Sequence, residues 1–305
     1  MSLEKFKEAI QLGYTVNGKY ITLGGAMYEG KVIPDLFVNL PLKNLNRHGL
    51  IAGATGTGKT KTLQALTENL SKEGVPTLLM DLKGDLSGIA AQGEEKSFIK
   101  ERHSQMNLPY QPEAFPVELL TISKQDGVRM RATVSEFGSV LLSRILDLSD
   151  VQEGVLAVVF KYCDDNQYPL LDLKDLKKVL QYATEEGKSE FEAEYGRISS
   201  SSTSAILRKI VELENQGAEL FFGERSFEPE DLLHIDAKGR GAVNIIRLTD
   251  IQDRPKMFST FMLCLLAEIY NTFPEIGDAE KPKLVIFIDE AHLIFNQASK
   301  ALLNQ

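Results

Sequence analysis

The chain is poor in the features that mark out several classes of protein. It has two cysteines in 305 residues, too few for a disulfide scaffold. Cys163 and Cys264 both lie in apolar stretches, Val158 to Cys163 and Phe261 to Leu266, and read as buried free thiols. The longest apolar helix candidate, Met257 to Tyr270, is shorter than the roughly 20 residues that span a bilayer, and it carries Glu268. The opening Met1-Ser2-Leu3, followed by Glu4, Lys5 and Lys7, lacks a signal peptide's apolar centre. No membrane attachment and a cytoplasmic location are expected. Basic charge is also in short supply: 34 Lys and Arg face 43 Asp and Glu, a net of −9. That excludes a surface basic all round, as a nucleic-acid glove requires.

What is present is the composition of an ordinary globular protein, 43% hydrophobic and 25% charged. The length suits one large domain or two of ordinary size. Charge is unevenly spread: Asp147 to Asp236 holds 20 acids and 9 bases, and the remainder 23 acids and 25 bases. The acidity therefore sits in the middle, leaving the flanks free to meet an anion.

Residues 1–47 read as a small β-rich segment, with short runs at Tyr20–Leu23, Val32-Ile33 and Leu36–Leu40 separated by turn residues. From His48 the pattern becomes α/β. Leu50-Ile51-Ala52, Val75–Met80, Val117–Ile122, Ala242–Ile246 and Leu284–Ile288 are near-continuous apolar strands. Helical segments lie between them, so a mainly parallel sheet covered on both faces is expected. The core would comprise residues 48–125 and 241–305. The acidic residues 126–240 show helical spacing, as in Leu173, Leu176 and Leu180, and read as an insertion. Within it, Ser199 to Ser204 reads as a flexible joint.

Gly53-Ala54-Thr55-Gly56-Thr57-Gly58-Lys59-Thr60 satisfies G-x-x-x-x-G-K-[ST] in full, between an apolar strand and an amphipathic helix. Glycines let successive backbone N–H groups curl around a phosphate, and the helix start adds partial positive charge. Lys59 would reach the β- and γ-phosphates, the Thr60 hydroxyl would join a Mg²⁺ shell, and Lys61 borders the site. A chance match anywhere in a chain this long is about one in a hundred at average composition. After Gly58 come Lys59, Thr60 and Lys61 with no third glycine, which disfavours a dinucleotide site. The strand Leu284–Ile288 ends in Asp289-Glu290. Asp289 is placed to hold Mg²⁺ through water and Glu290 to polarise an attacking water. Together these make an ATP-binding and ATP-hydrolysing site, with a small-molecule kinase disfavoured because Glu290 stands where water would be activated. Asp81 and Asp85, after the Val75–Met80 strand, and His292, two residues past Glu290, are further candidates. Each also has a plain structural role open to it: a turn or cap for Asp81, helix packing for His292.

His48-Gly49-Leu50-Ile51-Ala52 with the phosphate loop resembles the opening of HerA–FtsK superfamily ATPases. Asp81-Leu82-Lys83-Gly84-Asp85-Leu86-Ser87-Gly88, Arg131–Glu136, Leu146–Leu148 with Gln152–Leu156, and Phe287–Leu293 resemble a bacterial HerA-helicase-like family over essentially the whole chain. The resemblance implies a RecA-like core, ATP hydrolysis with Mg²⁺, and assembly of the full-length protein into a homo-hexamer. DNA as the track, with Arg129, Arg131, Lys238 and Arg240 as scattered basic candidates, is one reading. A nucleotide-dependent switch acting on protein partners through the acidic insertion is the other. Motors of this kind need a further strand after the Asp-Glu strand, ending in a polar residue that senses the γ-phosphate. Only 15 residues follow Glu290, so the sensor and an arginine finger are expected beyond Gln305, leaving the isolated chain a poor ATPase.

Overall fold

The computed structural model describes residues 1–274, 277 and 279–291. In chain order the elements are α1 (Leu3–Tyr14), β1 (Tyr20–Tyr28), β2 (Lys31–Pro41), α2 (Lys59–Lys72), β3 (Thr77–Asp81), α3 (Ser97–Met106), β4 (Val117–Thr121) and β5 (Val128–Arg129). There follow α4 (Val134–Ile145), α5 (Asp150–Asp165), α6 (Leu173–Tyr182), α7 (Lys188–Glu194), α8 (Ser200–Asn215), β6 (Val243–Arg247), α9 (Pro255–Thr272) and β7 (Val285–Ile288). Five strands form one sheet in the order β5-β4-β6-β3-β7, with β3 parallel to β7 and β4 parallel to β5. This is the mainly parallel α/β sheet that the apolar strand pattern implies.

Two compact units emerge from the packing. The first comprises Met1–Leu119, Glu230–Ile246 and Glu275–Asp289. Its centre is β3, buried at every position. Leu79 of β3 packs in a cluster with Leu63 of α2, Val243 and Ile245 of β6, and Leu86, Ile89 and Phe115. Leu70 of α2 and Val75 pack with Ile21 and Leu42 in a second cluster. Each fully buried aliphatic side chain contributes about 1.5–3 kcal/mol relative to exposure, so α2 is pinned by the one face that its Leu63, Leu66 and Leu70 define. Asn244, also buried, donates from Nδ2 to the carbonyls of Thr77 (3.1 Å) and Leu232 (3.0 Å).

The amino-terminal part departs from the sequence reading. A helix, α1, precedes the hairpin: Ser2 Oγ accepts from the Lys5 amide at 3.4 Å and Glu4 stands in the first turn. A serine cap with an acid at the helix start is a helix signal that the β-favouring runs downstream obscure. β1 and β2 close through Glu29-Gly30, with Tyr28 paired to Lys31. Both turn residues have positive φ (49° and 77°), the geometry of a two-residue hairpin turn that follows strand twist.

Leu50-Ile51-Ala52 forms no strand, and Leu50 is 87% exposed. A strand needs ladder partners, and among the described residues none pairs with these three residues between Gly49 and Gly53.

The second unit, Leu120–Pro229 and Arg247–Pro274, is mainly helical. Its helices stand where apolar spacing places them, and their starts carry the chemistry for it. Thr133 and Glu136 form a reciprocal cap on α4 (Glu136 N to Thr133 Oγ1 3.0 Å, Thr133 N to Glu136 Oε2 2.9 Å), and Asp172 caps α6 through the amides of Lys174 and Asp175. The serine run is no joint: Ser199 caps α8, and Ser200 to Ser204 form its first turns. Serine's hydroxyl competes with backbone bonds inside a helix but serves them at its start. Every residue from Met257 to Leu265 of α9 is buried, Ser259 and Thr260 included, which explains its mainly apolar sequence, and among the described residues no helix is long and apolar enough to cross a membrane. Cys163 and Cys264 are buried free thiols.

The joint between α2 and β3 is tight enough to test the packing. Ser71 Oγ donates to the Gly241 carbonyl (2.6 Å), and the Gly241 amide donates to the Ser71 carbonyl (2.8 Å). A Cβ on Gly241 would sit 2.3 Å from the Val75 carbonyl carbon and 2.5 Å from Pro76 N. Both are backbone atoms that cannot step aside. Gly241→Ala is therefore expected to lower unfolding free energy in urea by about 1–3 kcal/mol, the usual cost of overpacking.

Candidate nucleotide site

Gly56 and Gly58 adopt left-handed conformations, φ 81° and 97°, with Thr57 between them outside that region. Left-handed residues next to right-handed ones turn successive N–H groups toward one side, making an anion-binding concavity. A side chain at Gly56 or Gly58 would be strained by the backbone itself. Gly53 has a different reason: a Cβ there would lie 2.5 Å from Thr57 Oγ1. Thr57 folds back over the loop, donating from N (3.3 Å) and Oγ1 (2.7 Å) to the Ala54 carbonyl. Lys59 Nζ donates to that same carbonyl at 3.1 Å, so the ammonium lies across the loop rather than out in solvent. Thr55 is exposed at the tip.

Gly58 is also the cap residue of α2. Gly58 has no side chain to cap the α2 first-turn amides, and a helix start carries partial positive charge. Lys59 and Thr60 are the first two helical residues, both half-buried. Lys61 is exposed and bonds Gln64 Oε1 at 2.8 Å.

Two carboxylates follow neighbouring strands at the sheet's carboxyl edge. β3 and β7 pair in register, Thr77 with Val285 through Met80 with Ile288. The next residue on each strand is Asp81 and Asp289, so parallel pairing sets them at neighbouring strand ends, where ligands of such sheets bind. Asp81 is 2% and Asp289 7% exposed. Asp81 uses both oxygens on its own loop: Oδ1 accepts from the Gly84 amide (2.6 Å) and Oδ2 from the Leu86 amide (3.3 Å). Its observed task is to hold the turn 82–86. Asp85 is exposed at the tip of that turn, and its carbonyl accepts from Gln64 Nε2 at 3.1 Å. Gln64 thus ties the second turn of α2 to the loop after β3, a link no motif announces because it joins residues through a side-chain amide and a carbonyl.

Glu290 follows Asp289 with φ 50°, left-handed and unfavourable for a residue with a Cβ. His292 lies outside the described residues. Of the other basic candidates, Arg240 is occupied internally, with Asp236 Oδ2 at 2.8 Å and the Ala114 carbonyl at 2.8 Å.

The donor chemistry fits a nucleotide with Mg²⁺. A threonine hydroxyl and a carboxylate are hard oxygen donors of the kind Mg²⁺ takes, with phosphates and water filling the rest of its shell. The loop offers amides and an ammonium to anions.

Asp81→Ala should free the 82–86 turn and lower stability by about 1–3 kcal/mol through its two unmet amides. Hydrogen exchange at Gly84 and Leu86 should accelerate while exchange in α2 holds. Unchanged protection at both amides would remove Asp81 from this role.

Comparison with known proteins bears on the family and the fold. Residues 30–305 match the family model described as helicase HerA-like C-terminal. No curated protein matches the chain. Among solved structures, the bacterial conjugative coupling protein TrwBdeltaN70 in its unbound monoclinic form is similar at TM-score 0.52 and 16% identity. That match covers 98% of this chain and 64% of the other. The trigonal form of the same protein in complex with sulphate gives TM-score 0.52 and 16% identity, over 100% and 66%. VirB4 of Thermoanaerobacter pseudethanolicus follows at TM-score 0.47 and 16% identity, over 95% and 73%. The chain spans slightly less than two thirds of the length of the coupling-protein chains, and at this identity the likeness is one of fold. The family match is broad enough to be decisive: with its phosphate loop and parallel sheet, the chain belongs to the helicase HerA-like C-terminal family of P-loop ATPases.

Proposed function

We propose that the chain binds ATP at residues Gly53 to Lys61 and hydrolyses it, as the nucleotide-handling part of a HerA-type assembly that moves on DNA. The observation carrying the ATP reading is the phosphate loop leading into α2, on a sheet whose carboxyl edge presents Asp81 and Asp289 on adjacent strands.

Lys59 exchanges the Ala54 carbonyl for the β- and γ-phosphates, and the loop amides cradle them. Thr60 and Asp289 are the residues that would hold Mg²⁺, which when bound neutralises charge on the β- and γ-oxygens. Glu290 accepts a proton from water as the water oxygen bonds to the γ-phosphorus. The bond from that phosphorus to the bridging oxygen breaks, leaving ADP and phosphate. Asp81 acts one step removed, through the loop it holds.

DNA rests on family membership, not on a visible basic surface. Arg240 is tied to Asp236, and the acidic block Asp147–Asp236 would repel a polyanion. That block supports a second reading, a nucleotide-driven switch that docks protein partners on its acidic helices. The readings separate by ATPase rate with and without duplex DNA. A DNA motor gives a stimulated rate that falls steeply with salt as counterion release is suppressed, and a protein switch gives a rate indifferent to DNA.

Lys59→Ala should abolish Mg–ATP binding in calorimetry yet leave the thermal unfolding midpoint near the parent's, because Lys59 supports only its own loop. Glu290→Gln, made in a form of the protein that turns over ATP, should keep nucleotide affinity while turnover falls about 10²–10⁴-fold, the usual reach of a general base. An unchanged rate would move the base elsewhere.

A further inference from the structure

The start of α2 favours an anion. Its first turn carries Lys59 and Lys61 and no acid, the reverse of what a helix's partially positive end prefers. Its cap, Gly58, brings no side chain to that end. A phosphate group relieves this repulsion, so it steadies the first turn of α2 as well as the loop.

One turn further on, the side-chain amide of Gln64 has a partner at each end. Its Oε1 accepts from Lys61 Nζ at 2.8 Å, and its Nε2 donates to the Asp85 carbonyl at 3.1 Å. Lysine only donates and a carbonyl only accepts, so the two partners fix which way the amide faces. Glutamate, with acceptors alone, could serve Lys61 but not Asp85.

The turn that Gln64 reaches is also held from elsewhere. Asp81 accepts from the Gly84 and Leu86 amides. Leu86, fully buried, shares a cluster with Leu63, the α2 residue beside Gln64. Between these anchors Gly84 takes φ 82°, and Lys83, Gly84 and Asp85 are exposed. Exposed chain of this kind opens locally at far less cost than global unfolding. Gln64 ties it to the helix that carries the phosphate loop.

We propose that Gln64 is a positioning residue that couples nucleotide occupancy of the phosphate loop to closure of the 82–86 turn. Phosphate holds Lys59 and Thr60, the first turn of α2 stops fraying, and Lys61 and Gln64 keep their geometry. The Asp85 carbonyl then loses its partner less often. Binding that orders one segment favours order in a segment tied to it, with no change of shape required. The inference rests on the ATP reading of Gly53 to Lys61. It adds a route by which the bound state is displayed outside the loop, at the exposed Lys83 and Asp85.

The test follows amide exchange at Gly84 and Leu86 in the full chain, with and without saturating Mg–AMP-PNP, alongside calorimetry of the same nucleotide. Exchange at both amides should slow about two- to twelvefold on binding, the reach of one net hydrogen bond, while Leu70 near the far end of α2 is unmoved. Gln64→Glu keeps the shape and the acceptor for Lys61 but sets a carboxylate oxygen against the Asp85 carbonyl. It should bind the nucleotide and lose the slowing, and Gln64→Met, which removes both contacts, should do the same. A merely structural Gln64 would speed exchange equally with and without nucleotide, leaving their ratio at the parent's value; that result would overturn the proposal. Binding heat with no slowing in the parent would also overturn it, while leaving the ATP reading intact. No binding heat would overturn the ATP reading and this proposal with it. The parent measurement stands whether or not either variant folds.

Discussion

The parallel pairing of β3 with β7 is the constraint on which the site depends. Asp81 and Asp289 are far apart in sequence, and nothing local holds them near each other. Four register pairs, Thr77–Val285 to Met80–Ile288, bring both strands to an end at the same level. The Asp-Glu step then falls at the sheet's ligand-binding edge instead of along its face. A slip of one residue would turn Phe287, packed against both apolar clusters of this unit, to the opposite side. The core therefore fixes the register, and the register places the carboxylate. α2 is located by the same core through Leu63 and Leu70, which is how a flexible glycine loop comes to have a defined mouth.

Both units use polar side chains in two ways. Some serve backbone: Asp81 holds a turn, Asn244 bridges two carbonyls, and Lys281 Nζ donates to the carbonyls of Glu73 and Gly74 at the end of α2. Others meet side chain to side chain, as in Arg240 with Asp236 in the first unit and, in the second, Lys177 with both oxygens of Glu214 at 2.7 Å and Arg225 among three carboxylates. Helices satisfy their own backbone, so their spare polar side chains must find each other or water. The excess acidity of Asp147–Asp236 is what remains after such pairing.

The phosphate loop was legible because its chemistry is contiguous: eight adjacent residues carry the turn, the ammonium and the hydroxyl. Asp289 was legible through the strand before it. The buried strands and most helices followed from apolar period alone. What escaped depends on partners distant in sequence or on context. Leu50-Ile51-Ala52 reads as a strand but has no ladder among the described residues. Ser199 to Ser204 reads as a joint but starts α8, because a serine run means opposite things inside a helix and at its cap. Asp81 announced itself only as a carboxylate after a strand, and its bonds to Gly84 and Leu86 set its observed role. Gln64 carried no signal: it matters through one hydrogen bond, to the Asp85 carbonyl, that only folding defines.

The central claim is that the Gly53–Lys61 loop is a triphosphate site, so that phosphate and not the base or sugar supplies most of the affinity. Calorimetric titration of the chain with Mg–ATP and, separately, with adenosine tests it most directly. The account predicts one-to-one saturable binding of Mg–ATP and no measurable binding of adenosine. Adenosine binding as tightly as Mg–ATP, or no heat with either, would contradict it.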